Sequence, residues 1–144
     1  MNTAPTLALN KDEMNVFLGE IFPEMHTLSA AYEIISISTE KVVMKLNYHP
    51  SNLRPGGTIS GPAIMTLCDI VMYVGVLSRI GRKALAVTTH FSIDFLNKPP
   101  ADDIIAECFV IKQGKRLVVL RVDVYDSQRE TLCAHAVGTY SIPS

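Results

Sequence analysis

The hydrophobic pattern of this 144-residue chain is dominated by one apolar run, Pro62 to Leu77, which contains a single acid, Asp69. Drawn as a helix, the run is apolar almost all round, so the pattern predicts a helix that is largely buried. The run follows a loop rich in Pro, Gly, Ser and Asn and ends near Gly81. An ionised carboxylate among apolar neighbours is costly unless it is paired or hydrogen-bonded. Asp69 is therefore the first candidate for a functional residue.

Segments with strand-like alternation lie on both sides of this helix. A first short helix, capped by Asn10 or Asp12, is predicted through Phe17 and Leu18. The predicted strands cover residues 28–39, 41–49, 84–96, 103–112, 116–126 and 131–142. No strand–helix–strand alternation follows the central helix, which argues against a doubly wound parallel sheet. The order predicts an α+β fold in which an antiparallel sheet wraps around one long helix.

Composition narrows the possible functions. The length predicts one domain over residues 1–144, and 48% apolar with 19% charged residues excludes a disordered chain. A net charge of −1 gives no general reason to bind nucleic acid or a membrane, so neither partner is expected. Three cysteines in apolar stretches, and no secretory signal pattern, predict a cytoplasmic protein with reduced thiols. No ligand spacing for a metal is present, and no cofactor is predicted.

The start of the helix supplies a second candidate group. Pro62 suits the first turn, Ser60 or Thr58 could cap it, and the Gly61 N–H is left free at the positive end of the helix dipole. Such an amide can stabilise negative charge that develops on a thioester or ester carbonyl oxygen. Asp69 lies eight residues further on, about 12 Å along the axis. Both groups reach one carbonyl only if two helices run antiparallel in a dimer, so the geometry predicts a homodimer.

The strand after the helix carries further polar candidates. Its alternation places Phe91, Ile93 and Phe95 on one face, and Thr88, His90, Ser92 and Asp94 on the other. Thr88 or Thr89, at the start of the strand, could approach Asp69 and orient a water molecule. His90 is interpreted as a surface or interface residue, since no nucleophilic Gly-x-Ser-x-Gly motif is present.

Together, the Gly-rich loop, the helix with its acid and the strand ending Phe95-Leu96-Asn97-Lys98-Pro99 resemble the hotdog-fold acyl-CoA thioesterases. The likeness is to the phenylacetate-degradation type and to the 4-hydroxybenzoyl-CoA thioesterase superfamily. It covers residues 28–142 and is strongest over residues 52–99. The family helix normally opens with His-Gly-Gly. Here Ser60-Gly61-Pro62 occupies those positions, and Asp69 falls at the acidic one.

This resemblance implies hydrolysis of an acyl-CoA by a homodimer, or by a homotetramer built from two dimers. It implies that the Gly61 N–H polarises the thioester carbonyl, that Asp69 is the general base or nucleophile, and that Thr88 holds the water. The residues it suggests for substrate binding are Asn52, Ser60, Arg54, Tyr73, Arg82 and Lys98, the last two as contacts for the CoA phosphates.

Three alternatives remain open at this stage. Asp69 could be a structural carboxylate bonded to a backbone amide or to Arg54, with no chemistry. The loop from Arg54 to Pro62 also has some likeness to the Pro-Gly loops of hotdog hydratases and dehydratases, which act on acyl-CoA or acyl-ACP. Finally, the domain could bind acyl-CoA without consuming it.

Overall fold

The computed structural model describes residues 6–22 and 31–143. Its first element is helix α1, Lys11–Ile21, which begins at a capping box: the Asn10 side chain accepts from the Glu13 amide, and the Glu13 side chain accepts from the Asn10 amide. Of the two predicted caps, Asn10 is the one used. Residues 28–30 of the first predicted strand lie outside the described residues.

The predicted fold class is confirmed. Within the described residues, six strands form one antiparallel sheet in the order β1-β2-β6-β7-β8-β5. Their bounds are β1 Tyr32–Ile37, β2 Val42–Leu46, β5 Val87–Phe95, β6 Ile104–Gln113, β7 Leu117–Asp126 and β8 Leu132–Ser141. The loop before the long helix holds more structure than its composition predicts: a 3-10 turn at Pro50–Asn52, and a short ladder of β3, Leu53–Arg54, with β4, Thr58–Ile59.

Helix α2, Gly61–Ile80, packs against the inner face of the sheet and ends at Gly81, as the pattern predicts. Two glycines permit a close approach. A side chain at Gly75 would come within 3.2 Å of atoms in β6 and β7, and one at Gly138 would come within 2.5 Å of the Met72 sulfur. α2 is long and apolar enough to cross a membrane, but 61% of its most apolar 18-residue stretch is buried inside the domain. It is the core helix of this fold.

α2 is largely buried, as predicted, and in the single chain its burial is one-sided. Leu67, Val71 and Val74 have no exposed surface, while Met65 is 41% exposed and Asp69 is also exposed. A helix that packs on a single sheet covers only one of its faces. The opposite face of α2, together with strand β5, is left open in the single chain.

Strand β5 is the edge of the sheet and contains a β-bulge between Thr88 and His90. Phe91, Ile93 and Phe95 lie opposite Gly138, Ala136 and Ala134, so these three share one face as predicted. The bulge adds one residue, Thr89, and therefore reverses the alternation on its N-terminal side. Thr88 pairs with Tyr140 on the helix side of the sheet, so its predicted place on the face of His90 is wrong.

Candidate active site

The Asp69 carboxylate lies on the exposed face of α2, next to the bulged start of β5. Thr88 Oγ1 donates a hydrogen bond of 2.8 Å to Asp69 Oδ1, and Tyr140 Oη donates one of 2.7 Å to the same oxygen. The Tyr140 hydroxyl also lies 3.0 Å from the Asp69 carbonyl oxygen. Among the described residues, the second carboxylate oxygen, Oδ2, has no hydrogen-bond partner. Two hydroxyls thus fix one oxygen and leave the other available.

Asp69 is therefore neither sequestered by apolar neighbours nor paired with Arg54, as two of the sequence interpretations had it. The bulge explains the contact with Thr88. If Thr89 continued the regular alternation instead of forming the bulge, Thr88 would point to the outer face of the sheet, away from α2. Thr88 therefore approaches Asp69 as predicted, but it does so because of the bulge, which the alternation pattern does not reveal.

Tyr140 is the residue that sequence reasoning missed. It lies in β8, 71 positions from Asp69, and is only 2% exposed. Burial raises the pKa of its hydroxyl above the usual value, and the neighbouring Asp69 carboxylate raises that pKa further. The hydroxyl consequently stays protonated and acts as a donor. Strand alternation could have assigned Tyr140 to the inner face of the sheet, but no local signal pairs it with Asp69.

A cavity of about 470 Å³ opens beside Asp69, and we call it the carboxylate cavity. Asp69, Thr88 and Tyr140 form its polar end. Its other lining residues come from α1, from α2 and from the segment leading into β5: Leu18, Phe22, Ile70, Tyr73, Val74, Ala84, Ala86 and Val87. Tyr73 thus lies at the cavity, as predicted for a substrate-binding residue, but its hydroxyl donates to the Ala84 carbonyl at 2.7 Å.

The N-terminus of α2 is built as the sequence predicts. Ser60 is the N-cap, and its hydroxyl accepts from the Ala63 amide at 3.2 Å; Thr58 belongs to β4 instead. Gly61 is the first helical residue, and its amide has no acceptor among the described residues. The Gly61 N–H therefore remains free at the positive end of the helix dipole.

A second cavity of about 470 Å³, which we call the amide cavity, lies at this end of α2. Gly61, Arg54 and Lys98 line it, together with Phe95 and Leu96. Both basic side chains are exposed. Two cations and a helix N-terminus give this cavity a positive potential, which suits an anionic ligand group.

The two remaining predicted site residues, Asn52 and Arg82, do not line either cavity. The Asn52 carbonyl accepts from the Ser60 amide at 2.7 Å, so Asn52 holds the loop against the helix start, but it lines neither cavity. Arg82 is exposed in the turn after α2, at the opposite end of the helix from Gly61, and it too lines neither cavity. Cys68, beside Asp69 in the chain, is fully buried, and this burial raises the pKa of its thiol to about 12.

Asp69 and Gly61, the two groups with the clearest chemistry, thus border different cavities of a single chain. Asp69 also borders a third, open depression of about 310 Å³, formed by the exposed face of α2 and by Thr88 and Phe91 of β5. Within the described residues, no group of three or more His, Cys, Asp or Glu side chains is arranged to hold a metal ion.

Residues 56–133 match the family model of the Thioesterase superfamily. The match runs from the Gly-rich loop into β8 and includes Gly61, Asp69 and Thr88, but not α1 or Tyr140. A protein of Saccharolobus solfataricus, named "Putative esterase", is 30% identical over 118 residues, which cover 77% of this chain and 76% of that protein.

Solved structures give the same result for the fold. The crystal structure of a "putative thioesterase" from Silicibacter sp. TM1040 has a TM-score of 0.88 and 35% identity, covering 99% of this chain and 97% of the other. The PaaI protein of E. coli, from the phenylacetic acid degradation operon, has a TM-score of 0.77 over 91% of this chain and 94% of its own. Its 20% identity makes that likeness one of fold alone.

Proposed function

The chain belongs to the thioesterase superfamily, and from that premise we propose that it hydrolyses an acyl-CoA thioester between two protomers. Family membership supports thioester hydrolysis in general; the acyl-CoA substrate and the roles of the residues are our proposal. The observation that supports it most directly is that two reactive groups of α2 border different cavities. The Asp69 carboxylate, with one free oxygen, borders the carboxylate cavity, and the free Gly61 amide borders the amide cavity. Two antiparallel copies of α2 bring the two halves together.

In this scheme the thioester carbonyl lies at the junction of the carboxylate cavity and the open depression. Asp69 Oδ2 takes a proton from a water molecule, the water oxygen bonds to the carbonyl carbon, and the carbonyl oxygen gains negative charge. The Gly61 N–H of the partner protomer stabilises that charge. The C–S bond then breaks, and the proton held by Asp69 passes to the departing CoA sulfur. In the variant scheme, Asp69 Oδ2 attacks the carbonyl carbon, the C–S bond breaks to release CoA thiolate, and water then hydrolyses the resulting anhydride to the free acid and the Asp69 carboxylate.

The surface that joins the protomers is the open side of the domain. Strand β5 has an unpaired edge, and the neighbouring apolar side chains are exposed: Phe95 by 51%, Val87 by 56% and Met65 by 41%. An unpaired edge next to exposed apolar surface is a place where another chain can pair. We propose a homodimer in which β5 pairs with β5 and α2 packs on α2; two such dimers could form a homotetramer.

The sharpest test combines two inactive variants. Asp69→Asn removes the base and should lower kcat by about 10²–10⁴. Gly61→Pro removes the amide hydrogen and adds a ring; the helix start should tolerate it, because proline suits the first helical position and Ser60 has ψ 152°, which a following proline accepts. It should lower kcat by about 10²–10³. Gly61→Ala is the matched control, since the added carbon lies 3.5 Å from Phe95, an ordinary contact.

Coexpression of the two variants on chains with different tags then tests the dimer site. A heterodimer contains one intact site out of two, and random pairing makes half of the dimers heterodimers, so about a quarter of wild-type activity should return. If both groups acted within one chain, the mixture would stay as inactive as its components. Release of thiol from acyl-CoA is the measurement. Water addition to crotonyl-CoA without thiol release would instead favour a hydratase, and binding without consumption would favour the binding module.

A further inference from the structure

We infer that the carboxylate cavity holds the acyl group and accepts an unsubstituted hydrocarbon chain or ring, while excluding hydroxylated and charged acyl groups. The inference rests on the proposed function, because it takes the thioester carbonyl to lie at Asp69. At about 470 Å³ the cavity falls within the range of small-molecule sites. Among the described lining residues, the charged group lies at the catalytic end, and the part of the ligand that enters beyond the carbonyl meets mostly apolar walls.

The first argument concerns the hydroxyl groups of the cavity, each of which already donates to a protein oxygen. Thr88 and Tyr140 donate to Asp69, and Tyr73 donates to the Ala84 carbonyl. Among the described lining residues, no side-chain donor remains for the oxygen of a hydroxyl on the acyl group. Such a hydroxyl can still donate to one of these oxygens, but its own oxygen loses the donors that water supplied, which disfavours binding.

The second argument concerns charge. Among the described residues that line the cavity, Asp69 is the only carboxylate, and none is a Lys, Arg or His. A carboxylate at the far end of an acyl group would therefore lose water, meet no cation and lie in the same cavity as the Asp69 charge. Basic side chains are found at the amide cavity instead, on the side that suits the phosphates of CoA.

The third argument concerns α1 and its C-cap Phe22, which form part of the cavity wall. Leu18 is 5% exposed and Phe22 is 43% exposed, so Leu18 lies inside the cavity wall and Phe22 at its rim. The segment just before α1 is held to the end of α2, because the Ala8 amide donates to the Ser78 carbonyl at 2.7 Å. The position of α1 therefore limits the depth of the cavity, and Phe22 and Ala84 become residues that determine acyl length.

The test uses three six-carbon acyl-CoAs that differ at the chain end: hexanoyl-CoA with a methyl, 6-hydroxyhexanoyl-CoA with a hydroxyl and adipoyl-CoA with a carboxylate. We expect kcat/KM to fall about tenfold or more for the hydroxyl and about a hundredfold or more for the carboxylate. Equal kcat/KM values for the three would overturn the inference.

Binding of stable thioether analogues separates this inference from the proposed hydrolysis. S-hexyl-CoA should bind the wild-type protein about tenfold tighter than S-(6-hydroxyhexyl)-CoA, whether or not thioesters are cleaved. If the two analogues bind equally, the cavity does not select against polar groups and the inference is wrong. If they differ but no acyl-CoA is cleaved, the inference stands and the proposed reaction is wrong.

Length selection is tested with paired variants. Phe22→Ala removes the rim of the cavity and should move the preferred chain length upward, while Ala84→Leu fills the cavity and should move it downward. Val16→Ala is the control on α1, because Val16 is 63% exposed and lines no cavity wall. An unchanged chain-length profile in both Phe22→Ala and Ala84→Leu would show that the acyl group lies elsewhere.

Discussion

The two cavities along α2 have about the same volume and opposite character. Among its described lining residues, the carboxylate cavity, at the middle of the helix, is mostly apolar apart from Asp69 and the two hydroxyls that hold it. The amide cavity, at the N-terminus, combines a free N–H with Arg54 and Lys98. The first suits an uncharged group and a base, and the second suits developing or permanent negative charge. A thioester of CoA has an apolar end and a strongly anionic end, so each cavity matches one part of it.

Among the variants that test this difference between the cavities, the largest change in rate is expected when a hydroxyl of the carboxylate cavity is removed. Tyr140→Phe and Thr88→Val each remove one donor to Asp69 Oδ1, which should lower kcat about tenfold with little change in KM. The measurement is kcat and KM for hexanoyl-CoA.

Thr88→Ser is the control for these variants, since it keeps the donor to Asp69 and should keep kcat. A fall in kcat for Thr88→Ser as large as that for Thr88→Val would contradict the assigned role. Tyr140 and Thr88 would then support only the packing of α2 on the sheet.

A smaller effect, on KM instead of kcat, is expected from substitutions at the amide cavity. The double substitution Arg54→Ala with Lys98→Ala should raise KM several-fold and leave kcat nearly unchanged, because two exposed cations attract a phosphate without contacting the reacting atoms. The rise should shrink as salt is added, since exposed charges are screened. Steady-state kinetics at low and high ionic strength measure both effects.

Lys112→Ala provides the control for charge, because Lys112 is exposed in β6 and borders neither cavity. An equal change of KM in Lys112→Ala would mean that net charge, rather than the amide cavity, attracts the substrate. A salt-independent rise in KM would also argue against phosphate contacts.

The smallest effect is expected on the buried face of α2, between the two cavities. Cys68→Ala should change kcat by less than about twofold. The Cys68 thiol has no exposed surface and its pKa is raised to about 12, so it cannot supply a thiolate near neutral pH. Thiol release by Cys68→Ala, together with resistance of the native protein to iodoacetamide, checks this. Loss of activity in a folded Cys68→Ala protein would replace Asp69 with Cys68 as the candidate nucleophile.

The hydrophobic pattern along the chain was sufficient to predict those helices and strands in which buried residues recur at a regular spacing. The apolar run predicted α2 to its end at Gly81, and alternation predicted the sheet strands, because burial on one face imposes a period on the residue types. Ser60 as cap and Gly61 as a free amide were also predicted, since both depend on neighbours within a few residues. Local chemistry of this kind is contained in a short stretch of sequence.

Other features were decided only when distant segments met. The bulge at Thr89 turned Thr88 toward the helix, and the packing of β8 brought Tyr140 to Asp69 across 71 positions. The exposure of Asp69 followed because a single sheet covers only one face of α2. The sequence by itself determined which chemical groups are available and the periods of the elements that carry them. The tertiary structure decided which of those groups touch, because register, bulges and one-sided packing depend on contacts that no local pattern specifies.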